Sequence, residues 1–154
     1  MDLNEQNGRI YYNSAYLHEL DDKRRVQIPA KWRPVEEGTE LTLIPWHKSV
    51  EGPCLRVLPP EKMAQLMREL NATPNSDPNK TTLKRIIGSE SVQVTLDKAG
   101  RICLPERTAM AADVKGQVML VGLLDMFEIW NPARYERVKA ADAALAPEAF
   151  RLME

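Results

Sequence analysis

Residues 20–29, LDDKRRVQIP, return 76 positions later as LDKAGRICLP at 96–105. Leu20 falls on Leu96, Asp21 on Asp97, Arg25 on Arg101 and Pro29 on Pro105, while Val26 and Ile28 meet the apolar Ile102 and Leu104. Both copies read Leu-Asp-x-x-x-Arg-h-x-h-Pro, with h apolar. Further on, CLRVLPPEKM (54–63) lies over MFEIWNPARY (126–135) at a shift of 72, so the first copy carries a loop four residues longer, which WHKSVEGP (46–53) accommodates. An internal repeat fixes the architecture before any local reading. A unit of about 40–50 residues buries too little surface to be stable alone. The two copies are therefore expected to pack on each other as an intrachain pseudo-dimer.

Each unit has a readable local structure. Val92, Val94 and Leu96 alternate with Gln93 and Thr95, the period of a half-buried strand. Ile102 and Leu104 resume the alternation after DKAG, which predicts a hairpin around that loop. Asp97 suits the start of the loop, where a carboxylate bonds backbone N–H groups ahead of it, and Gly100 suits a position of positive φ. Pro29 and Pro105 predict short helices. ELTLI with CLRVL, and QVMLV with MFEIW, predict a second strand pair in each unit, followed by a helix that begins at a proline. In PEKMAQLMREL, Met63, Leu66, Met67 and Leu70 share one helical face. NATPNSDPNKTT (71–82) reads as a linker and TTLKRIIG as a short helix with Gly88 past its end. The class is α+β, divided as a first unit at 12–70, linker and short helix at 71–90, a second unit at 91–145 and a tail at 146–154.

Composition excludes more than it assigns. With 44% hydrophobic and 28% charged residues the chain reads as a soluble globular protein. Two Phe, four Tyr and three Trp leave most of the core to aliphatic residues; Trp32 and Met63 are expected to fill core or interface gaps. No apolar run approaches the roughly 18–20 residues that span a bilayer, and MDLNEQNGRI lacks a secretory pattern, so a cytoplasmic setting is expected. Cys54, Cys103 and His47 include no close ligand pair, and His18 falls on the inward face of its strand, so no metal is expected. No hydrolase, phosphate-loop or dinucleotide fingerprint is present, which predicts a non-enzymatic protein without cofactor or small-molecule substrate.

Charge is distributed unevenly. Residues 20–33 carry a net +3 and residues 96–109 a net +1, which leaves −5 on the rest of a chain whose total is −1. Positive charge gathered at two repeated loops of an otherwise acidic protein is the footprint expected for phosphate binding, while from charge alone solvated surface is the commoner reading of basic turns. Arginine serves equally as a bidentate partner of phosphate or of guanine O6 and N7. Arg25 and Arg101 are the candidate DNA contacts, with Lys23, Arg24 and Lys98 assisting. Asp21 and Asp97 would repel phosphate and are assigned, with Gly100, to shaping the turns.

YLHELDDKRRVQIPAKWR and VTLDKAGRICLP resemble the two Asp-x-x-x-Arg motifs of the MraZ family of bacterial transcriptional regulators, and VMLVGLLDMFEIW is similar to that family's second half. The match runs from about Tyr12 to about Tyr135. The resemblance implies tandem swapped-hairpin domains of the AbrB type (SpoVT-AbrB), assembly into a homo-oligomeric ring and binding to repeated promoter elements ahead of the division and cell-wall gene cluster, on the nucleoid. The first copy departs from the family: Arg24 replaces the glycine that Gly100 keeps, Ala15 stands where the family has an acid, and the first hairpin loop is longer. The other reading is a ring or antitoxin-like module whose basic loops hold an acidic protein.

Overall fold

In chain order the strands and helices are β1 (Ala15–Glu19), β2 (Arg25–Gln27), β3 (Leu41–Trp46), β4 (Cys54–Leu58), α1 (Pro60–Ala72), α2 (Pro78–Glu90), β5 (Val92–Val94), β6 (Arg101–Cys103), α3 (Glu106–Ala111), β7 (Gln117–Gly122), β8 (Phe127–Trp130) and α4 (Pro132–Phe150). Single 3-10 turns follow Pro29 and Phe150. The structure, a computed structural model, describes residues 9–154.

Burial along the strands separates the centre of the sheet from its edges. LTLIPW of β3 is buried from Leu41 through Pro45, and all four residues of FEIW in β8 are buried. AYLHE of β1 alternates exposed and half-buried, with His18 half-buried. The pairing agrees: a six-stranded antiparallel sheet has the order β1-β7-β8-β4-β3-β5, and β2 and β6 form a separate ribbon. Exchanging the units leaves this order unchanged, which is the pseudo-twofold packing that the repeat implies. β5 covers β3 only as far as Leu43, so Pro45, which has no N–H, lies where that side of the ladder is open.

The local hairpin expected from the alternation is corrected. The turn at DKAG does not lead into a local ladder. Asp97 N donates to Arg101 O at 2.9 Å, and then the strands part. β5 joins β3 of the first unit, β1 joins β7 of the second, and β2 pairs with β6 across the pseudo-axis. A lone two-stranded hairpin is marginal in water. Exchange instead seals Val26, Ile28, Ile102 and Leu104 at 0% exposure between the ribbon and the sheet.

Aliphatic residues do fill most of this core, but one aromatic cluster lies within it. Trp32, fully buried, has its ring centroid 4.9 Å from Phe127 and 5.3 Å from Tyr16, with Tyr12 alongside. The opposite sheet face carries a smaller apolar cluster in which Ile44, Leu58, Ile87 and Met126 meet Met63, Leu66 and Leu70 of α1. Met67, expected on that face, is exposed, because the helix rests on the 63–66–70 stripe. Gly88 lies inside α2 rather than past its end. That helix starts early, where Pro78 occupies its first turn and the Asp77 side chain accepts from Asn79 N, and runs on to Glu90. Among the described residues no helix is long and apolar enough to cross a membrane.

Candidate nucleic-acid interface

The two Asp-x-x-x-Arg segments fold into turns of one design. In the first, Asp21 Oδ1 accepts from Lys23 N at 2.9 Å and Arg25 N at 2.8 Å, and Oδ2 accepts from Arg25 Nε at 2.7 Å. In the second, Asp97 Oδ1 accepts from Ala99 N at 2.9 Å and Arg101 N at 3.0 Å, and Oδ2 accepts from Arg101 Nε at 3.0 Å. The residue before each arginine has positive φ, 59° at Arg24 and 80° at Gly100. An aspartate at the start of a turn can satisfy N–H groups that no strand partner reaches, and here it also grips the arginine.

The β2–β6 register, with Val26 opposite Ile102, sets what shares the outer face. Because Val26, Ile28, Ile102 and Leu104 point inward, Arg25, Gln27, Arg101 and Cys103 point outward. Arg25 and Arg101 each keep 32% side-chain exposure. Across the ribbon Arg101 Nη1 comes to 4.0 Å from Asp21 Oδ2. Gln27 Nε2 donates to Ala99 O of the second turn at 2.6 Å, and its counterpart Cys103 Sγ donates to Lys23 O of the first at 3.4 Å. The two turns are thus laced together as one surface. Lys23 and Lys98 stand exposed on it.

Arg24 behaves differently from the two motif arginines. Its Nε donates to Leu104 O at 2.9 Å, so the stem is tied back onto the other unit's strand end. Gly100 has no side chain to do the same. The space a Cβ would take there is filled by the guanidinium of Arg33, whose Nε donates to Ile28 O at 2.9 Å. Ile28 is the repeat counterpart of Leu104. Each turn borders a cleft of about 640 Å³, one lined in part by Arg33, Asp97, Lys98 and Gly100, the other by Asp21, Asp22, Arg24 and Glu106. Sequence reading did not single out Arg33. It lies outside both motifs, and its neighbour Gly100 is remote along the chain.

Electrostatics keep these carboxylates charged. Asp21 titrates below the ordinary aspartate range, chiefly because Arg25 N donates to it, and Asp97 does so chiefly because Arg101 N donates to it. An acid–base pair needs one carboxyl held neutral, and these two are both held ionised. Among the described residues no three His, Cys, Asp or Glu side chains are grouped to hold a metal ion. His47 is instead paired with Glu90 at 2.8 Å, and the buried Cys54 thiol is pushed far above its usual pKa, first by burial.

Comparison with known proteins places the chain among its relatives. A family described as "MraZ protein, putative antitoxin-like" matches residues 87–151. The chain is 33% identical over 141 residues to the transcriptional regulator MraZ of Roseiflexus sp. (strain RS-1), covering 90% of this chain and 94% of that protein. It is 31% identical over 138 residues to the transcriptional regulator MraZ of Pseudoalteromonas translucida, covering 87% and 88%, and 31% identical over 125 residues to that of Pediococcus pentosaceus, covering 81% and 84%.

Proposed function

The chain belongs to the MraZ family of transcriptional regulators, and from that premise we propose that it binds double-stranded promoter DNA through its two Asp-x-x-x-Arg turns. The observation that carries this reading is the fusion of both turns into one outward face of the β2–β6 ribbon, with Arg101 reaching 4.0 Å from Asp21. A two-stranded ribbon is one of the elements that the major groove admits. Each aspartate holds its own arginine through Nε, and the terminal nitrogens, of which Arg101 Nη1 stands 4.0 Å from Asp21 Oδ2, can donate in parallel to guanine O6 and N7 or to a phosphate. The Asp–Arg pairs are internally neutral; Lys23, Lys98 and Arg24 supply the attraction for the backbone.

The protein acts as a homo-oligomeric ring in the cytoplasm, on the nucleoid, at repeated elements ahead of the division and cell-wall genes. Exposed Leu145, Phe150, Leu152 and Met153 at the chain end support self-association. A ring repeats the ribbon face at fixed spacing and raises the effective concentration of each weak contact. The other reading, a non-enzymatic protein-binding ring or antitoxin-like module whose basic loops hold an acidic partner, draws support from the words antitoxin-like in the family description.

An electrophoretic mobility shift on DNA from upstream of the gene, with mass by light scattering, tests the proposal. Arg25→Ala, Arg101→Ala is expected to fold and assemble but lose the shifted complex. A folded, assembled double variant that binds like the parent would refute the DNA-binding reading, and competition by an acidic protein alone would favour the other.

A further inference from the structure

Besides the motif residues, one cation occupies a place in the interface that nothing in the repeat assigns. Arg33 and Arg24 are not repeat counterparts; position 109, the counterpart of 33, is a buried alanine. Yet the two side chains hold equivalent places. Arg24 Nε donates to Leu104 O and Arg33 Nε to Ile28 O, both at 2.9 Å, and those acceptors are repeat counterparts. Each guanidinium lies beside the residue of positive φ, Arg24 as that residue itself and Arg33 in the space Gly100 leaves. Neither forms an ion pair within 4.0 Å among the described residues, whereas Arg25 and Arg101 both do.

We propose that Arg33 is a member of the DNA interface and supplies to the second turn the phosphate-binding cation that Arg24 supplies to the first. The proposal rests on the reading of the turns as the DNA-binding surface. Tethering through Nε fixes the plane of the guanidinium over Gly100, and Arg33 lines the cleft that Asp97, Lys98, Glu36 and Glu37 share. A cation held without a carboxylate partner is free to take a phosphate oxygen, at less ordering cost than a loose lysine. Glycine at 100 is then needed twice over, for its φ of 80° and for the room it gives Arg33. Arg24 shows that an arginine can sit at this turn position itself.

The test is DNA affinity across a salt series for Arg33→Ala, Arg33→Lys, the Arg33→Ala, Gly100→Arg double variant and Arg101→Ala, with melting temperatures in parallel. Arg33→Ala is expected to weaken binding about tenfold, alike on operator and unrelated DNA, and to make the salt slope shallower by about one per engaged subunit. Arg33→Lys keeps the charge and should keep the slope. Moving the guanidinium onto the turn in the double variant should restore slope and affinity together, which a purely structural role of Arg33 would not produce. Arg33→Ala with parental affinity and slope, while Arg101→Ala abolishes binding, would overturn the inference and leave the reading of the turns standing. Parental binding by both variants would sink that reading itself. A loss in Arg33→Ala with an unchanged salt slope, shared by Arg33→Lys, would also overturn the phosphate contact.

Discussion

The two turns are built alike and completed differently. Their carboxylate hydrogen bonds span 2.7–3.0 Å and bind the same atoms of equivalent residues. The first turn places an arginine at positive φ and lets its side chain fold back onto Leu104 O; the second places glycine there and draws a guanidinium from the opposite unit onto Ile28 O. What the two turns share is therefore not glycine but two separable things, a left-handed residue and a guanidinium over the strand-end carbonyl. Away from the pseudo-axis the copies can meet both needs by different residues. On the axis they have no such freedom, because there a residue meets its own counterpart. Val26 faces Ile102 in the ribbon, and Arg56 faces Glu128 where β4 meets β8.

The axis pair gives the largest expected effect. Like charges at 56 and 128 would repel, and the divergence of the copies makes the meeting an ion pair, Arg56 Nε to Glu128 Oε2 at 3.1 Å. Glu128 also accepts from Trp130 Nε1 at 2.9 Å, and the Trp46 ring lies 4.2 Å from the Arg56 guanidinium. Glu128→Arg should cost about 3 kcal/mol or more, as expected when a largely buried pair is broken. The exchange Arg56→Glu, Glu128→Arg should recover about half of that, since the two tryptophans stay placed for the original charges. Denaturant melts of the parent and both variants measure it, and a double variant no better than Glu128→Arg would show that the axis pair is not what couples the halves.

A smaller contrast separates the turns. Gly100→Ala should destabilise by about 1–2 kcal/mol, from the left-handed φ and the displacement of Arg33 from Ile28 O. Arg24→Gly should change stability by less than about 0.5 kcal/mol, because relief of strain is offset by the lost bond to Leu104 O. Equal losses in the two variants, read by thermal melting, would mean that the turns are not completed in the separate ways described.

How much of this the residues announce depends on distance along the chain. The doubled motif exposes both turns, the inward set of Val26, Ile28, Ile102 and Leu104, and the strand pairs ELTLI–CLRVL and QVMLV–MFEIW, because each of these is local or repeated. Strand exchange is not local. Alternation of apolar residues fixes which face of β5 turns inward, and nothing in it says whether β3 or β6 will be the neighbour; the burial gained across the axis decides. Arg33 escapes notice for the same reason, since only the exchange brings it against Gly100. Gly88 departs from its expected place for another reason. Its glycine signal is real, but the start signal at Asp77–Pro78 sets the helix in motion early, and the helix continues through a position where nothing crowds a side chain.

The smallest effect concerns protons on the two aspartates. Both carboxyls titrate below the ordinary range in the folded protein. A folded-state pKa below the unfolded value of about 4 means stability that is fully present above that value and is lost as pH falls through the folded one. The turns should therefore contribute evenly from pH 8 down to about 5 and give way only below about 4. For Asp21 the first cause is the Arg25 backbone N–H and the arginine side chain comes after it. Arg25→Gln keeps that backbone donor, so the Asp21 midpoint should rise only part of the way back and that of Asp97 should barely move. Carbon-detected NMR titration of the side-chain carboxyls follows both residues in one sample. An Asp21 midpoint restored fully to the ordinary aspartate value by Arg25→Gln would show that the side chain, not the turn's own N–H groups, holds the carboxylate. The aspartate would then serve mainly as the arginine's counter-ion rather than as the builder of the turn.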